Sequence, residues 1–455
     1  MSIKKFFSLI LLAFVAVTGT AQTPEAILQS LEKYPNHAHA TGSTYPSIPL
    51  GEIATAPEGF EPFYFSLVGR HGSRYERSDN RFDKICSIFH KADSLGILTP
   101  KGKLLKSHLD EILDAQKGRD GELTALGYNQ WLGIGQRAAK NFGAIFNRGS
   151  VDAKSSTSLR CVLSMTAFNQ SLKGYNPNLY IFQDASKKDL WFIRPLADNP
   201  NNPKAMDEIH EAYNKSINWS AERSKWAKGL DFSSFLSKIT TNKELLLKKC
   251  GGKYQYRIAR YTFNTLLFGE NFEKGNRELL SQLFTPEELR NIYVYNTSHW
   301  LYNVVGRGNE VVEMKASFMR PLIEDILDRA NEAIDGKNPN VANLRFTHDS
   351  YVAPLLSVMG YDGCTPQFNQ DLEVATTSFN FGTVVPMAAN LQIILYRNKE
   401  GKIFVRSLVN ERDAYLPIKC ATAPFYPWSD FCKHIKKNMK ELDKSQQRVF
   451  KKYGY

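Results

Sequence analysis

Phe63-Tyr-Phe-Ser-Leu-Val-Gly69-Arg70-His71-Gly72-Ser73-Arg74-Tyr75 is the stretch from which the fold can be read. Its first residues are mostly aromatic, aliphatic or β-branched, the composition of a buried strand. The strand breaks at Gly69, and two arginines then bracket a histidine and a glycine. In an open α/β sheet, the carboxyl end of a strand faces the crevice where ligands bind. A histidine held between guanidinium groups stays neutral and nucleophilic, because a second positive charge there is disfavoured. Guanidiniums also suit the oxygens of a phosphate ester better than any neutral substrate. The stretch therefore predicts a site that forms a phosphohistidine, seated at a strand end.

Outward toward the N-terminus, Lys4 and Lys5 precede an apolar run from Phe6 to Val17 and small residues at Gly19 and Ala21. This pattern predicts a secretory signal over residues 1–21 and an extracytoplasmic, bacterial-type protein. A run of about 12 apolar residues falls short of the ~20 that span a bilayer, so no membrane anchor is expected. The 455 residues, 42% hydrophobic and 12% aromatic, are ample for a globular core. The formal net charge of +12, two units lower once the signal leaves, favours anionic partners. No nucleic-acid recognition motif accompanies that charge. The six cysteines, at 86, 161, 250, 364, 420 and 432, show no CxxC pair. They permit up to three disulfides or simply buried thiols.

Residues 22–60, rich in Pro, Ser, Thr and Gly, predict an irregular N-terminal arm. Its His37 and His39 lack a nearby acidic or cysteine partner for a metal. Residues 61–184 and 296–455 carry strand–helix alternation, whereas 185–295 read as a helical, lysine-rich insertion. The alternation predicts a mixed, mainly parallel α/β sheet flanked by helices, with that insertion as a helical cap domain. A helix is expected from Tyr75 to Ser94, which would place Arg74, Arg77, Arg81 and Lys84 on one face as a polyanion-binding wall or a solvated one. Thr124 is expected to cap a helix, with Gly127 allowing close approach. The run 151–160 reads as a strand followed by polar residues, then a helix from Leu159 to Leu172, with Arg160 and Ser164 one turn apart at its start, where an anion gains from the dipole. One long helix is expected over 309–334. A strand at 341–347 then ends at His348-Asp349, repeating the placement of His71. Two antiparallel strands, 383–396 and 403–409, are expected at the sheet edge. Sequons begin at Asn169, Asn214, Asn218 and Asn296.

Arg70-His71-Gly72-x-Arg74, Gly121-x-Leu123-Thr124-x-x-Gly127, Arg160 with Ser164, His348-Asp349 and Val385-Pro386-x-Ala388 occur in that order. Together they resemble the histidine acid phosphatases, the larger branch of the histidine phosphatase superfamily, over residues 60–415. Leu355–Tyr361 is similar to multiple inositol polyphosphate phosphatases, a phytase-like subgroup. Glu76 replaces the family's usual proline, and His348-Asp349 stands where the subgroup typically has His-Ala-Glu. The resemblance implies that His71 attacks phosphorus, that Arg70, Arg74, Arg160 and His348 bind the phosphoryl group, and that Asp349 protonates the leaving alcohol. It implies no metal or other cofactor and an acidic optimum. Arg77, Arg81 and Lys84 extend the expected site toward a highly charged substrate such as phytate. A broad acid phosphatase or sugar-phosphatase, and a non-catalytic polyanion-binding protein, are the other expectations.

Overall fold

A computed structural model of the chain describes residues 24–195, 219–305, 310–367, 369, 371–377 and 379–454. The expected signal at 1–21, residues 196–218 of the expected helical insertion and the sequons at Asn214 and Asn218 lie outside the described residues. The sheet runs β3-β2-β4-β1-β5-β6-β7 in space, with β8 paired to β6. Its strands are β1 (Glu61–Arg70), β2 (Ser150–Ser155), β3 (Tyr180–Asp184), β4 (Asn340–Thr347), β5 (Asn390–Arg397), β6 (Ile403–Val409), β7 (Arg412–Asp413) and β8 (Phe425–Pro427). β3, β2, β4 and β1 are mutually parallel, while β5 turns antiparallel against β1 and β6 against β5. The antiparallel pair thus sits inside the sheet as well as toward its edge. The stretch 383–389 is not strand: a short helix (Phe381–Val384) takes its first two residues, and Ala388 has φ 55°.

Alternation along β1 assigns the two faces. Phe65 and Leu67 join Trp131, Ile134, Phe168, Leu344 and Phe346 in one core. That core is closed by α4 (Ala125–Phe146) and α5 (Leu159–Tyr175). Tyr64 and Val68 face the other way, into a larger core shared with the helices between β3 and β4. Among the described residues that stretch is almost wholly helical, including Gln255–Gly269 and Pro286–Trp300.

Three expectations are corrected. The arm is not irregular surface: α1 (Pro24–Lys33) and a 3-10 turn (Pro35–Gly42) bury Ile27, Leu31, Ala38 and Ala40 in the larger core. Ile27 and Leu31, one turn apart, supply the apolar face that draws α1 inward. The helix after the first motif starts only at Asn80, as α2 (Asn80–Ser94), and α3 (Pro100–Gln116) follows it. Residues 74–76 instead pair with the segment 121–123, through an Arg74–Leu123 bridge and a Tyr75 N–H bond to Glu122 O. Arg74 and Arg77 therefore share no helix face with Arg81 and Lys84. The expected helix over 309–334 is split into Glu310–Ser317 and Arg320–Ile334, and Asn309 lies outside the described residues. Pro321 is the cause, since it cannot donate its N–H and clashes one turn back.

All six cysteines are free, four of them buried. Cys86 and Cys161 spend their thiols on the carbonyls of Leu109 and Thr347. The sequon residue Asn169 is buried, and Asn296 donates to Ala38 O and Asn264, which tie both into the interior. Phe168 is fully buried and meets Phe65, Trp131 and Phe346 at ring separations of 6.0–6.4 Å. Phe168→Ala is expected to cost about 3–5 kcal/mol, read as a lower urea midpoint. Leu159→Ala, at a side chain 64% exposed, is expected to leave that midpoint in place.

Candidate active site

The parallel register sets Arg70 of β1 opposite Thr347 of β4. His71 and His348, each the next residue, therefore leave the sheet side by side. Backbone bonds fix the junction: His71 N–H donates to Thr347 O, and Ala388 N–H to His71 O. On the other flank of β4, Ser156 N–H donates to Phe346 O, which brings in the turn from β2 to α5 and hence Arg160. Three neighbouring strand ends supply the whole constellation. The imidazoles of His71 and His348 meet edge to face, with centroids 5.5 Å apart.

His71 Nδ1 lies 2.9 Å from Gly72 O. A carbonyl can only accept, so Nδ1 carries the proton and Nε2 keeps its lone pair. Burial, then the charges of Arg70 and Arg74, hold His71 well below the ordinary imidazole range. The ring stays neutral in acid. Gly72 N–H donates to Ser164 Oγ at 3.0 Å, and the Ser164 hydroxyl donates to Arg160 O at 2.7 Å. Ser164 thus ties the loop to α5.

Arg70 is wholly buried, and its Nη2 lies 2.8 Å from Asp349 Oδ2. Its Nη1 donates to Thr41 O of the arm and to Val385 O. Burial lowers its pKa to about 10, with Asp349 opposing, so it remains a cation. Asp349 opens the helix α6 (Asp349–Met359), and its Oδ1 accepts from Ser350 N–H. Burial would raise this carboxyl, but Arg70 and Arg74 outweigh that and hold it below the usual aspartate value. Its side chain is still 19% exposed, enough for contact with a ligand.

Arg160 Nη2 donates toward His348 Nδ1 at 3.4 Å, which leaves His348 Nε2 protonated toward Ser156 Oγ at 3.2 Å. Burial, then Arg160, pulls His348 down to about 3. Arg74 bonds Tyr75 O at 2.7 Å and lies over the Phe268 ring. Arg70, Arg74 and Arg160 each retain a buried Nε–H without a hydrogen-bond partner in the protein. Each orphan donor costs on the order of 1–3 kcal/mol. Three of them around one neutral imidazole make a preformed receptor for an anion.

Arg77 lies near enough to depress Arg160, and Arg81 lies 3.8 Å from Glu76 with a side chain 63% exposed. Lys84 stands exposed on α2, and among the described contacts none ties it to the cluster. His37 is buried and bonds Ser47 O, and no group of three or more His, Cys, Asp or Glu among the described residues is placed to hold a metal ion. The support from Thr41, Gln130 and Trp131 was not anticipated. Gln130 accepts from Ser73 N–H and donates to Ser73 Oγ, and Trp131 Nε1 donates to Arg70 O. Only the adjacency of two residues on one helix hinted at this.

Residues 65–410 match the family model for the histidine phosphatase superfamily, branch 2. The chain belongs to this family. It is 21% identical over 395 residues to the thiamine-repressible acid phosphatase pho4 of Schizosaccharomyces pombe, covering 82% of this chain and 80% of that protein. It is 23% identical over 357 residues to multiple inositol polyphosphate phosphatase 1 of Homo sapiens, covering 72% and 68%. Its fold is similar to that of a Bifidobacterium longum multiple inositol polyphosphate phosphatase solved with inositol hexasulfate (TM-score 0.67, 17% identity, 88% of this chain and 97% of that one). It is also similar to the phytase from D. castellii (TM-score 0.67, 16% identity, 90% and 86%). As a histidine acid phosphatase, the chain is a phosphoric monoester hydrolase.

Gly72 shows how tightly this family member packs its loop. A Cβ there would stand 2.2 Å from Gly127 O, a backbone atom that cannot swing aside. Gly72→Ala is expected to cost roughly 1–3 kcal/mol and at least tenfold in phosphate release. Urea titration and p-nitrophenyl phosphate turnover check both, and retention of full activity would contradict the geometry.

Proposed function

We propose that this histidine acid phosphatase hydrolyses inositol polyphosphates, phytate among them, through a phosphohistidine at His71. The observation that carries the reading is the set of three guanidiniums near His71, each with a buried Nε–H that has no partner in the protein. Phosphoryl transfer needs in-line positioning and neutralised equatorial oxygens, and this receptor suits both. Arg70, Arg74 and Arg160 bind the phosphoryl oxygens. The neutral His348 lines the same wall and braces Arg160. His71 Nε2 attacks phosphorus, the P–O bond to the alcohol breaks, and the alcohol oxygen takes the proton of Asp349. Water then attacks phosphorus, the N–P bond breaks, and Asp349 recovers a proton from that water.

Asp349 is ionised in the free protein, so its proton must arrive with the substrate. A bound phosphoryl group engages Arg70 and adds negative charge beside the carboxylate. Both effects raise the Asp349 pKa. The alkaline limb of kcat, which reports the bound state, is therefore expected at higher pH than that of kcat/KM. Asp349→Asn should remove the limb and slow alkyl phosphates far more than p-nitrophenyl phosphate. Equal losses on both substrates would sink this role.

The choice of substrate rests on the +12 charge, on Arg77 and Arg81 near the mouth, and on the inositol polyphosphate phosphatases among the relatives. The acid phosphatase relative favours a second reading, a broad phosphomonoesterase. Secretion rests on the residue pattern of 1–21. The helical stretch 185–295 is proposed as a cap domain over the site. A panel at acidic pH decides the substrate: inositol hexakisphosphate is expected to be turned over with higher kcat/KM than p-nitrophenyl phosphate. The reverse order selects the broad enzyme. His71→Ala should abolish phosphate release in a folded protein, and persisting turnover would overturn the phosphohistidine at His71.

A further inference from the structure

Arg74 looks into two neighbourhoods. One is the pocket of His71, where its charge is felt by Arg70, His71 and Asp349. The other is a cluster drawn from four separate elements. The 3-10 turn of the arm brings His39, the loop after β1 brings Glu76, the first turn of α2 brings Arg81, and the helix Gln255–Gly269 brings Arg260 and Phe268. Phe268 lies beneath both Arg74 and His39. The fields of Glu76, Arg81, Arg74 and Arg260 all reach His39, and that of Arg81 reaches Arg260. Among the described residues of this cluster Glu76 is the one carboxylate, against the three guanidiniums of Arg74, Arg81 and Arg260. Arg74 and Arg260 each leave a buried Nε–H unfilled.

The way Glu76 is held is uneven. Its backbone is clamped: its N–H donates to Gln116 Oε1 at 2.7 Å, and its carbonyl accepts from Gln116 Nε2 at 3.0 Å and Gly121 N–H at 2.8 Å. Its carboxylate is not. Oε1 accepts one good bond, from Arg77 N–H at 2.8 Å, but lies 3.5 Å from Arg74 Nη1, and Oε2 lies 3.8 Å from Arg81 Nη1. Charge-assisted bonds settle at about 2.7–2.9 Å, so this carboxylate screens two guanidiniums without saturating them. With a fixed backbone and a loosely paired head, it can turn aside about its own side-chain torsions.

We propose that Glu76 is an exchangeable counter-anion over a second anion subsite formed by Arg74, Arg81 and Arg260. It sets how tightly the protein holds substrates that carry a second phosphate. The proposal rests on the phosphomonoesterase reading and adds a selectivity residue to it. While one phosphoryl group lies on His71, a neighbouring phosphate on the same ring displaces the Glu76 carboxylate from Arg74 and Arg81. When that phosphate has been removed or leaves with product, Glu76 takes the guanidiniums back. A carboxylate beside the subsite opposes the incoming phosphate, so the residue loosens polyphosphate binding. A monoester with a single phosphate does not engage the subsite and is affected less.

The test uses two inert anions as competitive inhibitors of p-nitrophenyl phosphate hydrolysis by the full-length protein: inositol hexasulfate and inorganic sulfate. Glu76→Gln is expected to lower the ratio of the hexasulfate Ki to the sulfate Ki by about tenfold, the effect of ~1.4 kcal/mol. Arg81→Ala, at a side chain largely in solvent, is expected to raise the same ratio. Equal shifts for both anions, or an unchanged ratio in either variant, would overturn the proposal. The readout stays distinct from the substrate question, because it holds whether or not inositol hexakisphosphate is the better substrate. Absence of p-nitrophenyl phosphate turnover in the unsubstituted protein would instead defeat the hydrolase mechanism itself.

Discussion

The parallel register of β1 against β4 is the constraint on which the site depends. With Arg70 opposite Thr347, the residues that follow each strand emerge as neighbours, and two motifs far apart in sequence become one pocket. A slip of one residue would move the pair by about 3.3 Å and turn every side chain to the other face. Polar side chains buried beneath the pocket guard against such a slip. Tyr64 donates to Asn343 Oδ1, and Arg345 binds Ser66 and Asp325. These pairs are satisfied only in one register, whereas the apolar residues of the opposite face would tolerate several.

Above that register the protein concentrates positive charge out of water. Burial and the charges of Arg74 and Arg160 depress Arg70, which Asp349 opposes from 2.8 Å, and burial and Arg74 depress Arg160. Such an arrangement is unfavourable for folding by itself and is carried by the two apolar cores on either side of the sheet. Under the proposed mechanism its benefit lies in the reaction, since donors held in place beforehand need little reorganisation when charge builds on the phosphoryl oxygens. Burial, reinforced by these charges, keeps the His71 and His348 imidazoles neutral where free histidines would be protonated.

Much of this was legible in the sequence, and the reason differs by element. The strand ends could be read because a buried parallel strand is a plain apolar run, and RHGxR and HD stop such runs abruptly. Thr124 bonds Gly127 N–H as the capping pattern requires. Residues 74–79 misled because their spacing of basic residues imitates a helix face, while the hydrogen bonds to residues 116 and 121–123 are contacts across sequence that periodicity cannot carry. The break at Pro321 was visible and was outweighed by the amphipathic pattern around it. The arm was misjudged because its Pro, Ser, Thr and Gly content describes a chain with little regular structure, which does not mean an exposed one. Lys84 shared the charge of its neighbours without sharing their direction.

The placement of that arm bears on when the molecule can come into being. Thr41 O accepts from Arg70, and the Tyr45 hydroxyl donates to the Glu411 carboxylate, which Arg137 grips with two bonds of 2.8 Å. The arm is thus fastened to a residue 366 positions later in the chain. Closing so long a loop is slow and yields little until most of the sheet exists. A growing polypeptide can therefore hold the arm through Asn271 and Asn296 first, and gains the fastening at Glu411 only when synthesis is nearly complete. Maturation of the pocket is timed by the arrival of β5, β6 and the turn at Glu411, long after the histidine motif itself has been made.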